Sequence, residues 1–297
     1  MGYQLWVSQE TGYRRQGTRF ESLHDIFLEK AKLSNVCEPI LCCKINDNAD
    51  DTRHALESRD FDVTCVIDEN GNIIGQIERE SLGTGVVSDH VKNIEEDETI
   101  NEDTSLVNLL SELSDKNYKY VVRKERIIGI ITRSDLNKPI PRTYLFGVIS
   151  LFELHLNFWI NNSRPNNSWL SSLKEHRAKS IQEMEEIKKE NGSYLSLIEC
   201  AQLCDKKEIL KNTPGFLEKF DFSKKDFSKL MEKIEVIRND IAHSQSSIIT
   251  LLEWKVMTEH ITKAETFLRC SDDEIEKEGL EKAKPYQNEI LVPILVM

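Results

Sequence analysis

Two short stretches of this 297-residue chain place reactive side chains at spacings that can do chemistry. The first is Arg238-Asn239-Asp240-Ile241-Ala242-His243. It lies on a run in which Phe227, Leu230, Ile234, Ile237 and Ile241 recur at helical spacing, so it predicts an amphipathic helix. With Ile234 as origin and about 100° per residue, Arg238 falls at about 40°, the edge of the apolar stripe. Asn239 falls at about 140° and His243 at about 180°, on the opposite side. An imidazole with a pKa near ~6.5 serves as general base or acid at neutral pH. A guanidinium holds a phosphate bidentately and stabilises charge that develops in the transition state. Arg238 and His243 are about 140° apart on one helix, so one copy does not converge them. Two copies related by a two-fold axis would build a composite site.

The second stretch is Gly129-Ile130-Ile131-Thr132-Arg133-Ser134-Asp135. Gly129 permits close backbone approach within a strand. Thr132 stands where the strand passes into a helix start, and its hydroxyl and the free amides there favour a phosphate. Asp135, a turn later, can accept hydrogen bonds from both hydroxyls of a ribose. Ile131 and Arg133 complete this candidate nucleotide-binding set.

The elements that must position these residues follow from a repeat. Ile73 to Leu82 aligns without gaps on Ile127 to Leu136, 54 positions later, with six of ten residues identical. Each unit reads as a helix (Asp51 to Asp60; Thr104 to Asp115), a strand (Val63 to Ile67; Tyr118 to Val122), a tight turn, a second strand (Ile73 to Ile77; Ile127 to Ile131) and a helix start. Asp68-Glu69-Asn70-Gly71 predicts a two-residue Asn-Gly hairpin turn. One unit leaves an apolar sheet face uncovered, so the two are expected to pack as one body. Ahead of them, Leu5 to Val7 suggests a short strand. Phe20, Leu23, Ile26, Phe27 and Leu33 suggest a helix that caps the pair.

The repeat, over roughly residues 35–140, resembles the tandem CBS (cystathionine-β-synthase-type) domain pair. Gly129 to Asp135 matches that family's G-h-x-[ST]-x-x-[DN] signature. The resemblance implies an adenine nucleotide (AMP, ADP or ATP-like) as regulatory ligand, on Thr132 and Asp135. The first unit departs from the pattern, with Glu78 in place of the Thr and Ser81 in place of the Asp. A carboxylate at the phosphate position repels an anion, so one nucleotide site per chain is expected, in the second unit.

Pro139-Ile140-Pro141 is expected to end the repeat, because proline does not continue a helix. Tyr144 to Ile160 is strongly apolar but contains Glu153 and His155, and reads as a buried interface helix rather than a membrane span. Further helices are expected from Ser168 to about Glu190, ending at Asn191-Gly192, and over Tyr194 to Leu210. The striped helix follows, and a last one runs from about Ser247 to Leu268. The fold class is therefore α+β in two domains: a β-β-α repeat pair over 1–142 and an all-α bundle over 143–297.

The all-α half, over about residues 145–270, resembles the HEPN family (higher eukaryotes and prokaryotes nucleotide-binding), whose R-[NHD]-x3-H signature Arg238, Asn239 and His243 match. The resemblance implies metal-independent RNA cleavage at a homodimer site, leaving a 2′,3′-cyclic phosphate and a 5′-hydroxyl, with no cofactor for the chemistry. His243 would act as acid or base, Arg238 would bind the phosphate and Asn239 would orient. It also implies a toxin, antiphage-defence or stress effector, a homodimer or higher even-numbered oligomer, and in some members an antitoxin partner. The rival reading is a non-catalytic adenine-nucleotide sensor whose helical domain serves dimerisation or partner binding.

Composition narrows the classes. A net charge of −12 argues against non-specific coating of nucleic acid, so DNA is not expected as a partner, while RNA held locally by positioned arginines is compatible. The seven cysteines show no zinc-type spacing, and read as reduced thiols of a cytoplasmic protein. The other histidines (24, 54, 90, 155, 176 and 260) show no metal-ligand spacing, and no Walker loop, G-x-S-x-G or H-E-x-x-H is present. The apolar tail Ile290 to Met297 is expected to dock on a neighbouring surface.

Overall fold

The computed structural model describes residues 19–193, 195–242 and 253–283. The expectations for Leu5–Val7, for His243 and for the tail from Ile290 lie outside those residues. The chain divides into two compact units: Phe27–Pro141, and the residues from Arg142 onward together with those up to Ile26. The first helix, α1 (Phe20–Lys30), passes from one unit to the other along its length.

The unit Phe27–Pro141 contains the repeat as two three-stranded sheets. The first is β1 (Cys42–Lys44), β2 (Val63–Ile67) and β3 (Ile73–Glu78), with α2 (Ala49–Glu57) between β1 and β2. The second is β4 (Thr99–Asn101), β5 (Tyr118–Arg123) and β6 (Arg126–Thr132), with α3 (Leu109–Glu112) between β4 and β5. In each sheet the first two strands run parallel and the hairpin strands antiparallel. Both hairpins shift register at the same place, Val66/Ile67 and Val121/Val122. The edge strands β1 and β4 were missed in the sequence because three residues carry no readable alternation. The helix expected over Thr104–Asp115 is a 3-10 turn, Leu106–Asn108, followed by the single turn of α3. α2 starts where Asn48 accepts hydrogen bonds from the Asp50 and Asp51 amides.

The hairpin turns reverse the sequence expectation. Asn70-Gly71 lies in a five-residue loop between β2 and β3, organised by Asp68, whose carboxylate accepts from the Asn70 and Asn72 amides. The two-residue turn is instead Lys124-Glu125, both at positive φ (44° and 65°).

The two repeats exchange segments. The Glu38 amide donates to the Ile130 carbonyl and the Ile130 amide to Glu38, at 2.9 and 2.8 Å. Lys92 and Gln76 form the same pair, both bonds at 2.9 Å. The stretch ahead of each sheet thus pairs with the last strand of the other. Glycine is required at both crossings: a Cβ on Gly129 would lie 2.5 Å from the Glu38 carbonyl oxygen, and one on Gly75 2.5 Å from that of Lys92. Val63, Cys65 and Tyr120 pack with Ile40, Ile73, Ile127 and Ile130 into one core cluster, joining residues of both sheets. A second core, with Ala49, Leu56, Val66 and Ile77, lies under α2.

From Arg142 onward all regular structure among the described residues is helical: α4 (Pro139–Ser163), α5 (Glu175–Glu190), α6 (Leu203–Lys211), α7 (Phe216–Lys219), α8 (Lys224–Ala242) and α9 (Trp254–Ala283). The repeat unit ends at Pro141 as expected, and Pro139 and Pro141 also open α4, since the first turn needs no amide donors. α4 is long and apolar enough by length and composition to cross a membrane, and 61% of its most apolar stretch is buried within the protein. Ser168 begins a separate 3-10 turn, Ser168–Ser172, and α5 starts only at Glu175. The helix expected over 194–210 is a 3-10 turn, Leu197–Cys200, and then α6. Gly192, at a φ of +76°, ends α5 as read. Phe216, Phe220, Phe227 and Phe267 form an edge-on aromatic core with Phe152 and Trp159. The start of α1 packs here, where the Phe20 amide donates to Asp272 at 2.8 Å and the Arg269 guanidinium lies over the Phe20 ring; its end belongs to the repeat unit, where the Ser105 hydroxyl donates to the Phe27 carbonyl at 3.2 Å.

Candidate functional site

In the second repeat the strand β6 ends at Thr132 and the chain turns into a 3-10 helix, Arg133–Asn137. Asp135, almost fully buried at 4% exposure, closes that start. Its Oδ2 accepts the Thr132 amide at 2.6 Å and the Thr132 hydroxyl at 3.1 Å. Its Oδ1 lies 2.7 Å from the Lys138 ammonium. Lys138 also pairs with Glu38 and donates to the Val36 carbonyl. These acidic partners raise the Lys138 pKa against the opposing effect of burial, and burial also pushes the neighbouring Cys37 thiol up. Both Asp135 oxygens are thus engaged, one by Thr132 and the other by the Lys138 ammonium.

The other members of the predicted set divide. Arg133 donates to the Leu113 and Ser114 carbonyls and ties β6 to the segment before β5. Ile131 is fully buried in the sheet. The backbone that approaches Gly129 is the chain's own, at Glu38. The first repeat has the same backbone and other chemistry. Glu78, at the Thr132 position, pairs with Lys92 at 2.9 Å, and the Ser81 hydroxyl donates to the Glu78 carbonyl at 2.7 Å.

In the helical unit α8 buries Phe227, Leu230, Ile234, Ile237 and Ile241, as its stripe predicted, and leaves Arg238 and Asn239 exposed. Arg238 donates to the Asn239 side-chain oxygen at 3.2 Å and lies 3.4 Å from Glu153. The other Glu153 oxygen lies 3.6 Å from Lys206, which is buried, and desolvation lowers the Lys206 pKa. One carboxylate therefore bridges two cations on the wall of a cleft of about 940 Å³, which Leu23, Phe146 and Asn239 also line. Sequence reasoning missed Glu153 and Lys206 as site residues. The signal was there for Lys206, at i+3 from Leu203 and i−3 from Ile209 on the apolar face of α6.

His155, Ser271 and Asp272 resemble a hydrolytic set in composition only. All three are completely buried, Trp159 Nε1 donates to the Ser271 oxygen at 2.6 Å, and burial alone pushes the His155 pKa down to about 3. The set is a packing feature. Among the described residues no group of three or more His, Cys, Asp or Glu side chains is placed to hold a metal.

Residues 87–141 match the CBS domain family, and the repeated sheet topology makes the N-terminal unit a CBS domain pair. A search of the curated proteins finds no match. Among solved structures, an uncharacterised conserved protein from Pyrococcus horikoshii is 20% identical, with 36% of this chain and 90% of that one covered and a TM-score of 0.32. CbpB in complex with c-di-AMP is 21% identical, covering 43% and 95%, at 0.35. CBSX2 in complex with AMP is 18% identical, covering 38% and 97%, at 0.33.

Proposed function

We propose that this protein is an adenine-nucleotide sensor that binds one ligand per chain in the second repeat. The observation that carries the reading is Asp135, buried at a strand-to-helix junction, with Oδ1 held by the Lys138 side chain. Two ribose hydroxyls reaching Asp135 displace that ammonium, which is then free to pair with the ligand's phosphate. The family resemblance supplies the adenine base, and the helical unit serves self-association or partner binding. The test is a thermal shift with AMP, ADP and ATP. The wild type and Ser81→Ala shift, and Asp135→Ala does not; a shift that survives Asp135→Ala places the ligand elsewhere.

A second reading is favoured by the exposed Arg238 and Asn239 on a cleft that also holds Lys206. In it the helical unit is a ribonuclease whose cleavage the nucleotide regulates, with Arg238 on the phosphate, Asn239 orienting and His243 as acid or base. Two copies supply the composite site. Cleavage of RNA in EDTA, lost in Arg238→Ala and in His243→Ala, supports this reading. A wild type inert on RNA with every nucleotide, or a fully active His243→Ala, leaves the sensor alone.

A further inference from the structure

The first repeat does not carry the nucleotide signature, yet it holds a chemistry of its own. Cys42 and Cys65 are register partners on the parallel pair β1–β2. Neighbouring strands lie about 4.8 Å apart, inside the Cα separation of about 4.4–6.8 Å that a disulfide spans. Side chains at paired positions of a parallel ladder leave the sheet on the same face, so the two thiols stand side by side. They differ in access. β1 is the edge strand, and Cys42 is exposed. Cys65 is completely buried between the sheets, where it packs with Tyr120. The Tyr120 hydroxyl in turn donates to Gln76 at 2.9 Å.

We propose that Cys42 and Cys65 form a reversible thiol–disulfide pair that a hydroperoxide oxidises. The hydrogen bond from Cys65 pulls the Cys42 thiol down to about 7, so a large share is thiolate near neutral pH. The Cys42 sulfur attacks the terminal peroxide oxygen, the O–O bond breaks, and the departing oxygen leaves as water or alcohol with a proton from solvent. Cys42 is then a sulfenic acid. The Cys65 sulfur attacks the Cys42 sulfur, the S–O bond breaks, and hydroxide takes the Cys65 proton to leave as water. Two thiols have lost two electrons and two protons, and the peroxide has gained them. Cys65 is the resolving partner because it is already in place, shielded from a second peroxide. Cys43 is not a competitor. It points to the other face, with its Sγ 3.7 Å from the Cys65 carbonyl oxygen, and burial pushes its thiol up to about 11.

The experiment is peroxide titration of the full chain, blocking of residual thiols with N-ethylmaleimide, trypsin digestion and mass spectrometry with and without dithiothreitol. One equivalent of hydrogen peroxide links the peptide Leu33–Lys44 to Asp60–Arg79, with Cys37 and Cys43 carrying N-ethylmaleimide and the whole two hydrogens lighter than the sum of the two peptides so alkylated, and dithiothreitol releases the link. The link persists in Cys37→Ser and Cys43→Ser and disappears in Cys42→Ser, an exposed position whose substitution spares the core. A link that survives Cys42→Ser overturns the proposal. So does a wild type that stops at oxidised Cys42 with Cys65 alkylated after unfolding, or one that does not react.

Discussion

The two halves of the CBS pair share a backbone and differ in what that backbone presents. Both cross the partner segment at a glycine, both shift register one pair from it, and both end the third strand in a 3-10 turn. At that end the second repeat sets Thr132 and Asp135, and the first sets Glu78 and Ser81. The segment exchange brings Glu38 to one end and Lys92 to the other, so each junction carries its own ion pair. In the second repeat the ammonium pairs with a buried carboxylate, the proposed ribose acceptor. In the first, Lys92 neutralises a carboxylate standing where a phosphate would sit. Fold and proposed site are separable: the glycine crossing is architecture in both repeats, and the proposed ligand chemistry rests on two side chains in one of them.

The largest effects test the shared architecture. Gly75→Val and Gly129→Val each force a carbonyl out of its pairing, and each is expected to lower unfolding free energy by about 3 kcal/mol in urea denaturation. A loss confined to one of the two breaks the equivalence of the crossings. Gly71→Val, facing open space at a φ of +82°, costs about 1 kcal/mol from backbone strain alone. The next effect separates the repeats. Asp135→Ala is expected to weaken nucleotide binding at least about tenfold, through loss of about 1.5 kcal/mol or more of charge-assisted hydrogen bonding. Ser81→Ala leaves affinity within about twofold, the ordinary range for a surface change. The double variant Glu78→Thr with Ser81→Asp sharpens the comparison in the other direction, raising the calorimetric stoichiometry above that of the wild type. The smallest effect concerns the turns. Lys124→Asn with Glu125→Gly relieves two positive-φ positions, and is expected to stabilise the second hairpin by about 1 kcal/mol. The corresponding loop of the first repeat offers no such gain.

Much of this was legible in the sequence for reasons that can be named. β2 matches its reading residue for residue, because Val63 to Ile67 is a short β-branched run bounded by turn residues. The stripe of α8 needed only its 3.6-residue period. The edge strands were not legible, since Cys42–Lys44 and Thr99–Asn101 are too short to show a pattern. The prolines close the repeat as read, but the start of α4 at Pro139 was not legible, because a proline marks a helix start as readily as a helix end. For the site, Thr132 and Asp135 were visible in one short motif. Glu38 and Glu153 were not, because each meets its partner through packing between segments distant in the chain; Lys138 stands three residues beyond Asp135, just outside the motif, and Lys206 showed only its place on the apolar face of α6 and not its partner. The Asn-Gly misreading is of the same kind: Asp68 organises the longer loop by side-chain hydrogen bonds that compete with the two-residue turn.

Isothermal titration calorimetry of AMP, ADP and ATP against the wild type and Asp135→Ala tests the central claim most directly. The account predicts one nucleotide per chain for the wild type with at least one of the three, and heat lost in the variant at the same concentrations. An unchanged isotherm in Asp135→Ala, or a wild-type stoichiometry of two, contradicts it.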